Sequence, residues 1–392
     1  MKNSDQTFSL QDISPKDLDR SRKLTELITS EIRSATQQVL SFERFMSLAL
    51  YADSLGYYHG GREIFGAKGD FVTAPESGDI FGFCVAEQCA EILEGNDVAI
   101  AEFGAGSGAL ADTIIRYFDG KILPRNFNYF IIEPSPYLSK RQKMRLSKID
   151  SQLVKKVKWH TTFPTQGFSG VAIANEVFDA MPARRFTIRR GEIQELGVAH
   201  DGENFIWEIK EVSAIPDLIR DRMTNYPEGY TTEHIDQQAT WFTEFKKFFS
   251  YGVLLVADYG YVDKDFFHLD RCDGTLRCYF KHHVHDNPFF AVGLQDITTS
   301  VNFSYLAECA LSEGFTVDGF TTQAKFLIGN KLEDKIATLS RSDNIDAYRV
   351  AQEAKRLILP AQMGEIFKFM ACSYGLDKSM SGFVDNERFR LG

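Results

Sequence analysis

Long apolar runs are missing from this chain of 392 residues. A membrane-spanning helix needs about 20 predominantly apolar residues, and pieces such as Val98–Phe103 and Val253–Ala257 are far shorter. No membrane span is therefore expected. Cysteine is scarce: six thiols, at 84, 89, 272, 278, 309 and 372, lie scattered without a CxxC pair. That usage argues against a disulfide framework and reads as the reduced thiols of an intracellular protein. Positive charge is in deficit, with 44 Lys and Arg against 54 Asp and Glu and a net charge of −10. A generic nucleic-acid binder displays a basic face, so nucleic acid is not an expected partner. The N-terminus, MKNSDQTFSLQDISPKDLDR, carries several acids and suits neither a secretory signal nor an Arg-rich transit peptide. These absences together point to a cytoplasmic protein. No GxxxxGK[ST] occurs either, which argues against a P-loop nucleotide site.

Apolar residues make up 44% of the chain, with 33 Phe and 15 Tyr, enough for a sizeable buried core. Helical spacing runs through residues 17–58, with a cap expected at Ser41. Gly56–Gly82 is Gly-rich and aperiodic and reads as a long loop. From residue 97 strands and helices alternate. VAIAEF, FNYFIIE, VKWHTT and GVAIAN are apolar strands, and Leu110, Ile114 and Phe118 share one face of a helix that Gly120 would close. A helix follows over Pro136–Ser147. This alternation predicts an α/β fold with a doubly wound parallel sheet. RFTIRR, EIQELGV and FIWEIKEV look like an antiparallel patch, Thr231–Phe249 looks helical, and GVLLVADYG restores a central strand. A loop rich in aromatics and His runs to Asn302, then a helix over Tyr305–Ser312 leads to FTVDGF and AKFLIG, expected as a terminal strand pair. The tail after Cys372 has little pattern and is expected to be loosely held.

The sharpest motif is Glu102-Phe-Gly104-Ala-Gly106-Ser-Gly108, a Gly-rich turn between a strand and a helix. Glycine permits a tight turn and lets the backbone approach a ligand closely, and this context binds nucleotides. On its own such a turn is also a plain strand-to-helix connection. Glu102 stands at the strand end, and Glu133 closes the next strand, where a carboxylate accepts both hydroxyls of an adenosine ribose. Capping the helix that follows Pro134 and Ser135 is the other role open to Glu133. Gly104-x-Gly106-x-x-Ala109 also satisfies a dinucleotide fingerprint, but its acid lies farther along than the usual 20 or so residues. The Glu-x-Gly-x-Gly-x-Gly form resembles the first motif of class I S-adenosylmethionine-dependent methyltransferases.

The likeness extends over several blocks in order: GYY (56–58), FGAKGDFVTAPE (65–76), AEFGAGSGAL (101–110), IIEPSP (131–136), ANEVFDAMPARRF (174–186), VADYG (256–260), QDITTSVNF (295–303), KFL (325–327) and MGEIFKFM (363–370). In these the chain resembles the MidA-type family, relatives of the mitochondrial complex I assembly-factor methyltransferase. The resemblance implies a Rossmann-like class I methyltransferase fold, S-adenosyl-L-methionine as cofactor, and a protein arginine, in a complex I subunit, as acceptor. The sequence departs from the family pattern at Phe83, where Glu is expected, and at Ser300, where His is.

An arginine acceptor sets a chemical problem, because its guanidinium stays charged. Carboxylates that grip it bidentately orient one nitrogen and offset charge. Asn175-Glu176-Val-Phe-Asp179 follows the fourth strand, so Glu176 and Asp179 are expected to hold the guanidinium and Asn175 to contact cofactor or acceptor. A turn that satisfies backbone donors before Pro182 is the alternative for Asn175 and Asp179. Tyr259, after the fifth strand, would line the acceptor channel. Asp70 and Thr73, in a block preceding the first strand, are assigned to the cofactor side with Glu102, Gly104, Gly106, Gly108 and Glu133. His282, His283 and His285 near Cys272 and Cys278 match no standard zinc spacing, so no metal is expected. The run Lys140–Lys158 holds eight basic residues and one acid, a solvated face or a dock for an acidic partner.

The organisation expected is an N-terminal helical lobe and Gly-rich loop over 1–96, and a methyltransferase core over 97–330 with inserted lid elements near 186–250 and 260–300. A C-terminal helical segment over 331–392 completes it. A homodimer is compatible with all of this. Two other functions stay open from sequence: a cofactor-binding assembly chaperone with degenerate activity, and an NAD(P)-dependent oxidoreductase.

Overall fold

Seven strands, most of them buried along much of their length, build one sheet from residue 99 onward. They are β1 (Ala99–Phe103), β2 (Tyr129–Ile132), β3 (Val157–His160), β4 (Phe168–Asn175), β5 (Phe249–Tyr261), β6 (Thr316–Thr322) and β7 (Phe367–Tyr374). The computed structural model describes residues 13–392 except 63, 65, 67, 68, 71, 72, 94–98, 120, 122–126, 166, 213 and 340–343. Gly120, the expected helix stop, lies outside the described residues. The strand order is β6-β7-β5-β4-β1-β2-β3, and a two-residue strand, Val301–Asn302, adds to the end of β5. β1 to β5 pair in parallel, and β7 runs antiparallel between β5 and β6.

Every second residue of these strands faces one of two apolar cores. Ile100, Ile131, Val171, Ile173 and Leu255 face one core. The N-terminal pair, α1 (Pro15–Ser34) and α2 (Phe42–Tyr51), packs elsewhere, while α3 (Ile80–Leu93) and α4 (Ala109–Phe118) cover this face. Ala101, Phe103, Ala172, Leu254 and Val256 face the other, against Phe242, Phe245 and Phe248 of the helix Gln237–Phe248 and Phe303 of the helix Phe303–Ser312. Strand order reverses at β1, whose neighbours are β2 and β4. In open parallel sheets that switch point opens a crevice at the carboxyl ends of the strands.

Several expectations need correction. Residues 17–58 are not one helix: α1 ends at Ser34, Gln37 takes a left-handed φ of 59°, and Ser41 caps α2 by accepting from the Arg44 amide at 3.2 Å. Of Thr231–Phe249, Thr231–His234 is a strand that pairs with Arg184–Thr187. It joins Glu192–His200, Phe205–Lys210 and Leu40–Ser41 in an antiparallel sheet on which α2 packs. The aromatic and His-rich stretch contains a small sheet of Arg277–Phe280, His283–His285 and Asp296–Thr298. AKFLIG is helical: Thr322 caps Gln323–Gly329, and the partner of β6 is β7. The C-terminal segment thus supplies a strand as well as helices. Its tail is held, with Phe383 buried against Phe326 and the Gly382 amide donating to Gln88 Oε1 at 2.8 Å.

Phe326 stacks on Phe369 of β7 with ring centroids 3.7 Å apart and is fully buried. Phe326→Ala is expected to cost about 3–5 kcal/mol of stability, the usual range for emptying a large aromatic site. Urea denaturation of the two proteins measures it.

Candidate active site

The carboxyl ends of β1, β2, β4 and β5 open into a cavity of about 920 Å³. The Gly-rich turn forms one wall. Gly104, Gly106 and Gly108 take φ of 61°, 53° and 83°, a left-handed region that side chains disfavour. Gly108 is the residue that starts α4. Glu102, at the end of β1, is buried and accepts from the Tyr129 hydroxyl at 2.6 Å. Burial, with Glu133 nearby, pushes its carboxyl from 4.5 up to about 7. Glu133 also borders the cavity. Its Oε1 accepts from the Ser135 amide at 2.9 Å, and its Oε2 accepts from Gln142 at 2.9 Å. Burial raises it to about 7 against the pull of those two donors. The helix α5 (Pro136–Leu146) is capped by Ser135, not by Glu133.

The opposite wall is acidic. Asn175 ends β4, and its Nδ2 donates to Glu176 Oε1 at 3.3 Å. Glu176 takes a left-handed φ of 51°, an arrangement a non-glycine residue holds only when its surroundings impose it. Its amide donates to Ala257 of β5 at 2.9 Å. Burial, reinforced by Asp179, pushes its carboxyl up to about 8. Asp179 is buried and raised to about 6 by desolvation, and its Oδ1 has no hydrogen-bond partner of good geometry. Asp258 secures this corner from below, its Oδ2 accepting from the Phe178 and Asp179 amides at 3.0 and 3.3 Å.

The cavity brings together Glu102, Gly104, Gly106, Glu133, Asn175, Glu176, Asp179, Asp70 and Thr73. Gly108 stands just behind the turn, against Gln142. Asp70 borders the cavity with its carboxylate already engaged, by Tyr57 at 2.9 Å, Arg62 at 3.1 Å and the Lys281 amide at 2.8 Å. It pins the Gly-rich loop to the small sheet. Tyr259 lines the cavity, and its hydroxyl is buried without a well-formed partner. Phe83 and Ser300 do not border it: Phe83 packs on Tyr117, and the Ser300 amide donates to Thr275. The basic run is partly spent inside the chain, since Arg145 bonds Asp112 and Glu76, each at 3.2 Å. Among the described residues no group of three or more His, Cys, Asp or Glu is arranged to hold a metal.

Asp296 escaped the sequence reading. It is buried on the acidic wall and accepts from the Tyr58 hydroxyl at 2.9 and 3.1 Å, and burial beside Asp179 lifts its pKa well above the ordinary value. The available signal was a carboxylate inside the strand Asp296–Thr298, in the same block as a motif already noted.

Residues 84–321 match the model of a family described as S-adenosyl-L-methionine-dependent methyltransferase. Protein arginine methyltransferase NDUFAF7, mitochondrial, of Danio rerio is 28% identical over 363 residues, covering 85% of this chain and 83% of that one. Its Homo sapiens counterpart is 27% identical over 372 residues, covering 85% and 79%. A crystal structure from Burkholderia thailandensis bound to S-adenosyl-homocysteine superposes with a TM-score of 0.91 at 33% identity, over 96% of this chain and 98% of that one. These findings correct the cytoplasmic expectation. The curated relatives are named as mitochondrial proteins, and scattered reduced thiols with an acidic N-terminus do not separate one reducing compartment from another. No helix among the described residues is long and apolar enough to cross a membrane.

The raised Glu176 pKa makes a stability prediction. With a folded value near 8 against an ordinary 4.5, the neutral carboxyl is favoured in the fold, and the stabilisation it gives is lost as pH rises through the folded value. Gln keeps a neutral group at every pH. Glu176→Gln is therefore expected to melt higher than the parent at about pH 9, with the gap narrowing as pH falls below about 8 and closing only near about pH 4.5. Calorimetric scans across that range check it.

Proposed function

Since the chain belongs to this family of S-adenosyl-L-methionine-dependent methyltransferases, we propose that it methylates an arginine side chain of a protein. One observation carries the reading: Glu176, Asp179 and Asp296 line the same wall of the cavity without a Lys or Arg ion-pair partner among the described residues. Burying carboxylates costs several kcal/mol each unless a cation meets them. A guanidinium supplies that charge in a planar form that two carboxylates can grip. The names of the relatives support arginine as the acceptor, and a complex I subunit, as the family resemblance implies, is the first acceptor to try.

The donor is S-adenosylmethionine, which supplies a methyl carbon made electrophilic by its sulfonium. The walls suit a ligand of this charge. Gly104 and Gly106 keep side chains off the turn, Glu133 presents a carboxylate to ribose hydroxyls, and Glu102 and Thr73 border the same space. Glu176 and Asp179 orient the acceptor nitrogen, and alignment of this kind is worth about 7–11 kcal/mol. Asn175 holds Glu176 in place through its amide. The methylated nitrogen must shed a proton, and Glu176, with a pKa of about 8, is suited to take it.

Glu176→Gln is expected to lower methyl transfer by about 100-fold or more while S-adenosylhomocysteine affinity stays unchanged. The assay follows labelled methyl into protein and identifies methylarginine after hydrolysis. Label in lysine or in a small molecule would overturn the acceptor, and the absence of turnover with full cofactor binding would favour an assembly chaperone. Ionised carboxylates are needed to receive the guanidinium, so kcat/KM is expected to climb with pH between about 6 and 8, where Asp179 and Glu176 lose their protons. In Glu176→Gln the upper part of that rise should vanish.

A further inference from the structure

Helix α5 is basic on its outer face, yet a neutral amide, Gln142, lies fully buried between Leu138 and Leu146 on its inner stripe. A buried amide has two donors and one acceptor oxygen to satisfy. Here its Nε2 donates to the Gly106 carbonyl at 3.1 Å and to Glu133 Oε2 at 2.9 Å, while its Oε1 accepts from the Trp159 indole at 3.1 Å. The orientation is set by chemistry. An indole N–H only donates, and a backbone carbonyl and a carboxylate only accept, so the amide has one satisfying orientation. Helix and turn are also in contact: a Cβ on Gly108 would lie 3.3 Å from Gln142 Cα. Gly106 and Glu133 belong to different strand ends, after β1 and β2, and Gln142 ties them together.

We propose that Gln142 is a positioning residue of the cofactor site, its amide locking the Gly-rich turn and the Glu133 carboxylate into one geometry with Trp159 as the anchor. Each Glu133 oxygen then has one protein donor, Ser135 or Gln142, and keeps lone pairs for a diol at the cavity. The proposal rests on the reading of Glu133 as the group that receives the ribose. It adds that Gln142 acts through Glu133 and not merely as packing. Since the Gln142 amide lowers the Glu133 pKa, its removal acts on affinity through pH as well as through position.

The test titrates S-adenosylhomocysteine by calorimetry into the full-length parent, Gln142→Met, Glu133→Gln and the double variant, from about pH 6 to 9. Met keeps the length of the side chain without its donors. Gln142→Met is expected to weaken binding about tenfold at neutral pH, the worth of one hydrogen bond to a charged group. It should also move the pH midpoint of affinity upward, and its cost should shrink once Glu133 is Gln, leaving only the share of the Gly106 contact. An equal loss in both backgrounds, or an unmoved midpoint, overturns the proposal and leaves Gln142 as packing. Unchanged affinity in Glu133→Gln overturns the reading of Glu133 itself, and the proposal falls with it. Trp159→Phe guards against a misfolded Gln142 variant: it frees the anchor alone and should give a smaller loss, again reduced in the Glu133→Gln background.

Discussion

Carboxylates kept from water at the carboxyl edge of a parallel sheet are the constraint around which the rest of this structure is arranged. Glu102, Glu133, Glu176, Asp179 and Asp296 come from β1, β2, the turn after β4 and a strand far along the chain, and all border one cavity. Each would rather be neutral there, as the upward pKa shifts state. Protonation relieves the cost of burying such groups, and a cationic ligand would offset it where they ionise. S-adenosylmethionine carries a sulfonium, and a guanidinium acceptor would bring a second positive charge.

Holding those groups requires rigidity on every side. Asp258 accepts two backbone amides and fixes the corner where Glu176 sits with a left-handed φ. The β5 carbonyl of Ala257 receives the Glu176 amide, so neighbouring strands impose the strain. The N-terminal helix α2 and the loop after it do more than decorate the core. Tyr58 reaches Asp296, Tyr51 donates to the Ala180 carbonyl at 2.8 Å, and Asp70 ties the loop to the small sheet. Walls from separate stretches of chain thus border one site, and the burial of its carboxylates strengthens each electrostatic contact they make.

Much of the core was legible because its signals are local. Apolar strands of four to thirteen residues alternating with amphipathic helices spelled out a parallel sheet. The Gly-rich turn and its flanking acids announced themselves by spacing. Errors arose where tertiary partners overrode local pattern. AKFLIG reads as a strand from composition, but a threonine cap and burial of Phe326 and Leu327 make it a helix. Thr231–His234 becomes a strand because Arg184–Thr187 lies alongside it. The strand that does pair with β6 comes some fifty residues later (Thr316↔Ser373), a distance no local window spans.

The sequence by itself determined the Gly-rich turn proposed to hold the cofactor, since a left-handed backbone favours glycine and its candidate acids close adjacent strands. It also determined the candidate pair after β4, whose members are three residues apart. Only the tertiary structure decided that Asp296 joins them, that Asp70 has its oxygens spent on Tyr57, Arg62 and the Lys281 amide, and that a helix amide links Gly106 to Glu133. The reason is physical: backbone conformation is a local property that residue type constrains directly, whereas the fate of a buried polar side chain depends on which distant atoms folding brings within about 3 Å of it.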